Sequence, residues 1–321
     1  MGATKIVVLG TGGTIAGTAA SALDNIGYTA AQLGVEALLQ SVPDLSALSE
    51  KWECEQVSQI DSKDMEFAVW IALAHLCQAH LEDPQVRGVV ITHGTDTLEE
   101  TAWFLHSVLN ARRPVVLTCA MRPATAVAPD GPQNLLDAVV VASTAGAAGV
   151  LVVCAGEIHG AQHVQKMHPY RVNAFASGDV GPWGWVEEGA VRWAQDACPP
   201  KPAQQWQPGF FEALPWPRVE IVMNYVGGSA GLVDALVRDG VQGIVVAGTG
   251  NGTLHFALQA ALERAQAAGV AVRVTTRCPL GQVLPRLADL LPPAQGLSPV
   301  KARITLLLEL MQGAALAAST W

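Results

Sequence analysis

The chain has 321 residues, of which 50% are hydrophobic and 15% charged, and its formal net charge is −9. This length and apolar content are sufficient for large buried cores and for two domains. The negative charge, without a cluster of lysine or arginine to offset it, argues against a nucleic-acid partner.

Two stretches without charged residues, 138–156 and 240–254, raise the question of a membrane span. The first contains Ser143-Thr144-Ala145-Gly146, and the second contains five glycines. We therefore interpret both as buried strands joined to helices, and we expect no membrane partner.

The N-terminus leads directly into an apolar strand, with no pattern typical of a secretory signal. The six cysteines are scattered and form no C-x-x-C pair, which favours a reducing compartment. We therefore expect a cytoplasmic protein. A periplasmic location stays open if a leader has been removed.

Strand and helix signals alternate from the start of the chain, which predicts β-α-β units and a mostly parallel sheet flanked by helices. Residues 18–29 lack a clear periodicity, and we interpret them as a mobile segment able to close over a site. In chain order, the predicted elements are strand 5–9, helix 31–39, a strand ending near residue 60, helix 64–81, strand 88–92, helix 98–109, strand 114–118, helix 133–144 and strand 149–154.

Residues 197–217 contain six prolines and are interpreted as a linker. The predicted fold is therefore α/β with two domains: a larger N-terminal domain, 1–196, and a smaller C-terminal α/β domain, 218–321. The elements predicted after the linker are strand 219–223, helix 230–238, strand 243–247, helix 253–268 and strand 270–275.

Two loops rich in glycine and threonine each follow an apolar run typical of a buried parallel strand. Gly10-Thr11-Gly12-Gly13-Thr14-Ile15-Ala16-Gly17 follows the first run, and Thr92-His93-Gly94-Thr95-Asp96-Thr97 follows the second. Ligands of open α/β sheets bind at the carboxyl ends of the strands. Two hydroxyl-bearing residues in one crevice, one of them beside a carboxylate, indicate acyl-transfer chemistry.

Nucleotide binding is the first alternative, because a glycine-rich loop after a strand can carry a dinucleotide fingerprint. The third glycine of G-x-G-x-x-G is replaced by Ile15 in the first loop and by Thr253 in the loop that starts at Gly248. There is also no P-loop lysine. A single loop of this kind is most often a tight turn that enters a helix.

Metal binding is the second alternative, because His159, His163 and His168 lie in one segment with Glu157 nearby. Glycines and a proline interrupt the segment, and no H-E-x-x-H pattern is present. We expect neither a metal nor another cofactor.

A threonine hydroxyl is a poor nucleophile at neutral pH and needs a partner that removes its proton and a group that stabilises the oxyanion. Thr95 is adjacent to Asp96 and could pair with a lysine. The chain has only six lysines, and Lys166 lies among polar residues downstream of a strand. For Thr14, the candidate is Tyr28, one of three tyrosines.

At this point the sequence resembles the bacterial L-asparaginases, in collinear order from residue 4 to about residue 310, and it is more similar to their type II branch. The motifs that carry the resemblance are Thr-Gly-Gly-Thr-Ile-Ala-Gly (11–17), Ser62 before Asp64-Met65, His-Gly-Thr-Asp-Thr (93–97), Ala-Met-Arg-Pro (120–123) and Gly-Asn-Gly (250–252).

The resemblance implies hydrolysis of L-asparagine to L-aspartate and ammonia, with glutamine as a slower substrate. Thr14 would be the primary nucleophile and form an acyl-enzyme, with Tyr28 orienting and helping to activate it. Thr95, Lys166 and Asp96 would form a second set that activates either the hydrolytic water or a nucleophile.

The resemblance also implies the substrate contacts. Ser62 would hold the α-carboxylate and Asp96 the α-amino group. The backbone N–H of Thr95 or of Ala120 could contribute to an oxyanion hole. Asn251 would reach the site from a neighbouring subunit of a homotetramer built as a dimer of dimers.

The sequence departs from the family pattern at Lys63, where type II enzymes usually have glutamine. It also lacks a clear match for the acidic residue of the neighbouring subunit, since residues 278–292 carry only Asp289. Two alternatives therefore stay open: an amidotransferase-type relative and a protein that binds an amino acid without hydrolysing it.

Overall fold

The computed structural model describes residues 5–42, 45, 51–194, 210–213, 215–285 and 290–318. The chain divides into two compact units, Met1–Trp206 and Gln207–Trp321. Most of the predicted linker, 197–209 and residue 214, lies outside the described residues. Residues 210–213 of that linker form a helical turn, and the buried Phe211 stacks on Trp216 with ring centroids 5.9 Å apart.

Eight strands of the first unit form one sheet, and two further strands pair with each other. The strands are β1 (Lys5–Gly12), β2 (Lys51–Ile60), β3 (Val86–Thr92), β4 (Pro114–Thr118), β5 (Gly149–Cys154), β6 (Glu157–Gly160), β7 (Gln165–Lys166), β8 (Phe175–Ala176), β9 (Gly184–Glu187) and β10 (Ala190–Trp193). The order of strands in the large sheet is β10-β9-β6-β5-β4-β3-β1-β2.

The parallel part of the sheet runs from β2 through β1, β3 and β4 to β5. Its central strands are continuous apolar runs with completely buried side chains, as expected for a sheet covered on both faces. β1 pairs with β2 on one side and with β3 on the other, so the strand order reverses between β1 and β3. This reversal point is where ligands of open α/β sheets bind.

Four helices accompany this sheet in the described residues of the first unit. The helices are α1 (Val35–Gln40), α2 (Phe67–Glu82), α3 (Leu98–Val108) and α4 (Gly131–Ser143). The helix α4 packs against β3, β4 and β5, and α2 packs against α3.

The helix predicted from residue 31 begins only at Val35. Ala31 has a left-handed φ of 55°, and its N–H donates to Gly13 O over 3.0 Å. The N–H groups of Gln32 and Leu33 donate to Ala16 O. Residues 31–33 are therefore bonded to the first glycine-threonine loop instead of to a helix.

The antiparallel strands β6, β9 and β10 extend the parallel sheet beyond β5. They were not predicted from the sequence. Each has four residues, which is too short for an alternating pattern to be recognised. The sheet is nevertheless mainly parallel and flanked by helices, as predicted.

The second unit has a parallel sheet of order β11-β12-β13. The helix predicted from residue 253 begins at Phe256, because Thr249 and Thr253 pair through both backbone N–H groups. No helix in the described part of the chain combines the length and apolar character needed to cross a membrane. After the short helix α5 (Phe210–Ala213), the elements are β11 (Val219–Met223), α6 (Gly231–Arg238), β12 (Gly243–Gly248), α7 (Phe256–Ala267), β13 (Ala271–Thr276) and α8 (Pro299–Ala318).

Candidate active site

The two glycine-threonine loops of the first unit lie on either side of the reversal point, after β1 and β3. Thr11 Oγ1 donates to Thr92 O over 3.0 Å and ties the two strand ends together. Gly13 has a φ of 79°, and a Cβ built on it would overlap the backbone of Gly94. The residues before Thr14 and Thr95 are therefore in direct backbone contact, which only glycine permits.

Thr14 is 6% exposed and lies in a 3₁₀ turn formed by Thr14–Ala16. Its Oγ1 is 2.6 Å from Tyr28 Oη. The segment that carries Tyr28 is closed at its base, where Thr18 and Thr29 exchange backbone hydrogen bonds of 2.9 Å. Tyr28 is thus held against Thr14 from a loop whose two ends are joined.

Thr95 is also 6% exposed but has a charged partner. Lys166 Nζ donates to Thr95 Oγ1 over 2.7 Å and to Asp96 Oδ1 over 2.6 Å. The Lys166 side chain is 18% exposed and that of Asp96 is 53% exposed, so the pair extends from the interior to the surface. An ammonium shared between a hydroxyl and a carboxylate can polarise the hydroxyl and take part in proton transfer.

Lys166 lies on β7, which pairs with β8 away from the main sheet. Its N–H donates to Glu99 Oε1 over 3.2 Å, which links β7 to the first turn of α3. Directly after β8, Ser177 Oγ is 2.9 Å from His159 Nδ1 on β6. These contacts position Lys166. The supporting roles of Glu99, Ser177 and His159 were not predicted from the sequence.

Ser62 is buried in a turn that packs against the Thr95 loop. Its Oγ accepts a hydrogen bond from Asp96 N–H over 3.2 Å, and its carbonyl oxygen accepts one from Thr97 Oγ1 over 2.7 Å. In the same turn, Lys63 forms an ion pair with Asp64, and this hydrogen bond raises the pKa of Lys63. The Lys63 ammonium is thus engaged by its neighbour, with 60% of its side chain exposed.

A buried series of hydrogen bonds runs from α2 through α3 to the Thr95 loop. Trp70 Nε1 donates to Thr101 Oγ1 over 2.8 Å, and Thr101 Oγ1 is 2.9 Å from His93 Nε2. Burial lowers the pKa of His93 to about 4, so the imidazole is neutral at physiological pH. Nδ1 faces the carbonyl oxygen of Gly94, which can only accept, so Nδ1 carries the proton and Thr101 donates to the unprotonated Nε2.

His93 Nδ1 therefore donates to Gly94 O over 2.7 Å. The carbonyl of Gly94 and the N–H of Thr95 belong to one planar trans peptide and point in opposite directions. Holding the carbonyl on His93 consequently turns the Thr95 N–H away from the imidazole. The sequence motif 93–97 includes His93, but it does not indicate what the ring does. The role of the ring depends on its contact with Thr101 and on the contact of Thr101 with Trp70, and both of these residues lie outside the motif.

Ala120 is 1% exposed and belongs to the same edge of the sheet. A Cβ built on Gly131 would contact both Ile15, next to Thr14, and Ala120. The following amides of Met121 and Arg122 both donate to the carboxylate of Asp130 over 2.9 Å. The backbone at Ala120 is thereby held next to the turn that carries Thr14.

Asn251 belongs to the second unit, in the loop after β12. Its Nδ2 donates to Leu284 O over 3.0 Å, and its Oδ1 accepts from Leu284 N–H over 2.7 Å. Its predicted contact with substrate stays a prediction. Asp289 lies outside the described residues.

Within the described residues, no three side chains of histidine, cysteine, aspartate or glutamate converge in a way that could hold a metal ion. Of the three histidines considered from the sequence, His159 pairs with Ser177, and His168 Nδ1 accepts the N–H groups of Tyr170 and Arg171 over 3.0 Å.

Comparison with known proteins agrees with this architecture. Residues 5–199 match the family model described as "Asparaginase, N-terminal", and residues 218–319 match "Glutaminase/Asparaginase C-terminal domain". The chain belongs to the asparaginase family.

Relatives in the asparaginase family cover nearly the whole chain. A protein of Haemophilus influenzae named "Probable L-asparaginase periplasmic" is 38% identical over 96% of this chain and 89% of its own length. A "Glutaminase-asparaginase" of Pseudomonas fluorescens is 37% identical over 94% of this chain and 84% of its own length. Both relatives therefore match this chain along nearly its whole length.

The fold is likewise that of an asparaginase. The crystal structure of a "Probable Cytoplasmic L-asparaginase" from Campylobacter jejuni superposes with a TM-score of 0.89 at 36% identity, covering 96% of this chain and 95% of that one. The relatives' names include both a periplasmic and a cytoplasmic protein, so membership of the family is compatible with either compartment.

Proposed function

We propose that this chain is an amidohydrolase that converts L-asparagine to L-aspartate and ammonia through a threonine nucleophile, with L-glutamine as a secondary substrate. The observation that carries the proposal is the contact of Lys166 Nζ with both Thr95 Oγ1, at 2.7 Å, and Asp96 Oδ1, at 2.6 Å. The names of the relatives support the same substrates.

In the first step, Thr14 Oγ1 attacks the carbon of the substrate's side-chain amide. Tyr28, 2.6 Å from this oxygen, orients it and helps to move its proton. The oxyanion of the tetrahedral intermediate accepts hydrogen bonds from the backbone N–H of Thr95 or Ala120. The intermediate collapses when the C–N bond breaks, the proton passes to the leaving nitrogen, and ammonia departs from the acyl-enzyme.

In the second step, water attacks the ester carbon. Its proton passes to the set formed by Thr95, Lys166 and Asp96, and the returning Thr14 oxygen recovers a proton when the ester opens. The product is L-aspartate. The partly buried Lys166 is suited to this role because its ammonium is already oriented by two oxygen atoms before the substrate arrives.

The substrate's charged groups define its orientation. Ser62, next to the Thr95 loop, is proposed to hold the α-carboxylate, and the half-exposed Asp96 to hold the α-amino group. Asn251 is proposed to complete the site from a neighbouring subunit. No cofactor is required by these steps.

We also propose a homotetramer and a cytoplasmic location. Side chains of the second unit expose apolar surface, among them Met223, Tyr225 and the fully exposed Val226, which favours contact with another copy. The exposed free thiols of Cys54 and Cys278 suit a reducing compartment. Sedimentation equilibrium tests the first proposal, and fractionation of expressing cells tests the second.

The activity is tested by parallel steady-state measurements of ammonia release from L-asparagine and from L-glutamine. We expect turnover of both, with a higher kcat/KM for asparagine. Absence of ammonia release from either substrate would contradict the proposal. Calorimetric binding of asparagine without ammonia release would identify an amino-acid-binding protein instead.

A further inference from the structure

Two buried cysteines lie side by side at the carboxyl edge of the large sheet. Cys154 ends β5, and Cys119 follows β4; in the parallel register of these strands, Thr118 is opposite Val153. The two Sγ atoms are 3.0 Å apart, and the residues are 1% and 4% exposed. The sulfur atoms are thus closer than non-bonded contact distance, at a position set by the sheet itself.

The backbone geometry is compatible with a covalent bond between the two sulfur atoms. Neighbouring strands are about 4.8 Å apart, which falls within the Cα separation that a disulfide spans. An S–S bond is about 2.05 Å long, so the two sulfur atoms need to approach by roughly 1 Å. Rotation of the two side chains is sufficient for a movement of this size.

Asn134 on α4 holds both backbone segments at this spacing. Its Nδ2 donates to Cys119 O over 2.9 Å, and its Oδ1 accepts from the N–H of Ala155, the residue after Cys154, over 2.9 Å. The side-chain amide of Asn134 therefore links the two backbone segments that carry the sulfur atoms. The pair is preorganised, and little conformational freedom remains to be lost when the bond forms.

The other cysteines in the described part of the chain differ from this pair. Cys54 and Cys278 are exposed, and Cys77 is buried in α2. Among the described residues, Cys119 and Cys154 are the cysteines whose sulfur atoms contact one another. The positions of the described cysteines therefore favour one disulfide, between Cys119 and Cys154.

We propose that Cys119 and Cys154 are a modification site at which a peroxide oxidises the pair to a disulfide that thiols reduce again. In the first step, one thiol attacks hydrogen peroxide, the O–O bond breaks, and a sulfenic acid and water are formed. In the second, the neighbouring thiol attacks the sulfenic sulfur, the S–O bond breaks, and a second water leaves as the S–S bond forms.

The rate of this oxidation is limited by burial. Desolvation raises the pKa of the Cys119 thiol well above its usual range, which reduces the fraction present as the reactive thiolate. The oxidation is therefore slower than that of exposed cysteines and accelerates with rising pH. This inference does not depend on the proposed hydrolysis, since it concerns sulfur atoms outside the proposed catalytic groups.

The test is peptide mapping of the full chain. Reduced protein is treated with hydrogen peroxide at mildly alkaline pH, its remaining thiols are alkylated in denaturant, and the chain is cleaved at aspartate. Cleavage at Asp130 and Asp137 separates the two cysteines, so a disulfide links two peptides that dithiothreitol releases. We expect this linked pair in the wild-type protein and in Cys77→Ser.

The linked peptides disappear in Cys119→Ser and in Cys154→Ser if the proposal is correct. Because either serine variant could fail to fold, the assignment in the wild-type protein stands on its own. Recovery of both cysteines as alkylated free thiols, after the exposed cysteines have been fully oxidised, would overturn the proposal. So would conversion of either cysteine to a sulfinic acid without any linked peptide.

Discussion

The two threonine loops of the first unit have the same setting but different partners. Thr14 and Thr95 are each 6% exposed, and each follows a buried parallel strand next to the reversal point of the sheet. Thr14 meets the phenol hydroxyl of Tyr28, whereas Thr95 meets the side-chain nitrogen of Lys166. The fold therefore places two equally buried hydroxyl groups at one edge of the sheet and gives them different hydrogen-bond partners.

A third loop shows what the same sequence pattern does without such partners. Thr249 follows β12, and its Oγ1 bonds to Thr253 within its own turn, 3.0 Å from the carbonyl oxygen and 2.9 Å from the hydroxyl. This threonine closes a turn. A glycine-threonine loop at a strand end is therefore not sufficient to define a nucleophile.

The comparison is tested most strongly by removing each hydroxyl. We expect Thr14→Ala and Thr95→Ala each to lower kcat for asparagine by about 10⁴-fold, because each removes a member of a proposed catalytic set. The measurement is steady-state ammonia release. Thr144→Ala, at the C-terminal end of α4 where Oγ1 bonds to Val140 O, is the control and should retain wild-type kcat. Wild-type turnover in Thr14→Ala or Thr95→Ala would refute the assigned chemistry.

Lys166 distinguishes the two loops directly. Lys166→Met keeps much of the side-chain volume but removes the ammonium, and we expect kcat to fall by about 10³-fold. Steady-state ammonia release again measures the effect, while the thermal unfolding midpoint reports on the fold. Arg113→Met provides a control for loss of a cation elsewhere in the unit. A change in KM alone would indicate that Lys166 binds substrate and takes no part in proton transfer.

The buried His93 makes the Thr95 loop sensitive to acid. Its pKa is about 4 in the folded state against 6.5 for the free side chain, so the unfolded chain binds more protons between these values. The contribution of the neutral His93 to the free energy of unfolding is complete above pH 6.5. It is lost as the pH falls towards 4, which lowers the free energy of unfolding by about 3 kcal/mol. Urea unfolding across this pH range measures it.

The control for this prediction is His93→Asn, whose amide can still donate to Gly94 O but does not titrate. We expect the stability difference between the wild-type protein and this variant to depend on pH across that window. A difference that stays constant from pH 4 to 6.5 would show that His93 is not buried in its neutral form.

The smallest expected effect belongs to Tyr28. Tyr28→Phe removes one hydrogen bond to Thr14 and leaves the ring, so we expect kcat to fall by about tenfold. Tyr225→Phe, at an exposed tyrosine of the second unit, is the matched control. A loss as large as that of Thr14→Ala would mean that the phenol is indispensable for proton transfer, and would remove the contrast between the two loops.

The strand-loop units that carry Thr14 and Thr95 were predictable because apolar runs of parallel strands and glycine-rich loops are local signals. Lys166 could be selected because lysine is rare in this chain. The family motifs added the specific assignments. These features depend on residues that are close together in the sequence.

The contacts that support Lys166 and Thr95 could not be predicted in this way. Glu99 binds the backbone of Lys166 across 67 residues, and Trp70, behind the Thr95 loop, donates to Thr101 across 31 residues. Contacts of this length depend on tertiary packing and leave no periodic pattern. The same holds for the turn of β7 and β8, whose strands have two residues each.

The most direct test of the account is to locate the acyl group during turnover. Wild-type protein is mixed with asparagine, quenched in acid within the first turnovers, and mapped by mass spectrometry. We predict an aspartyl ester on Thr14, enriched in Lys166→Met because hydrolysis of the ester is slowed. An ester on Thr95, or ammonia release without any ester, would contradict the division of roles between the two threonines.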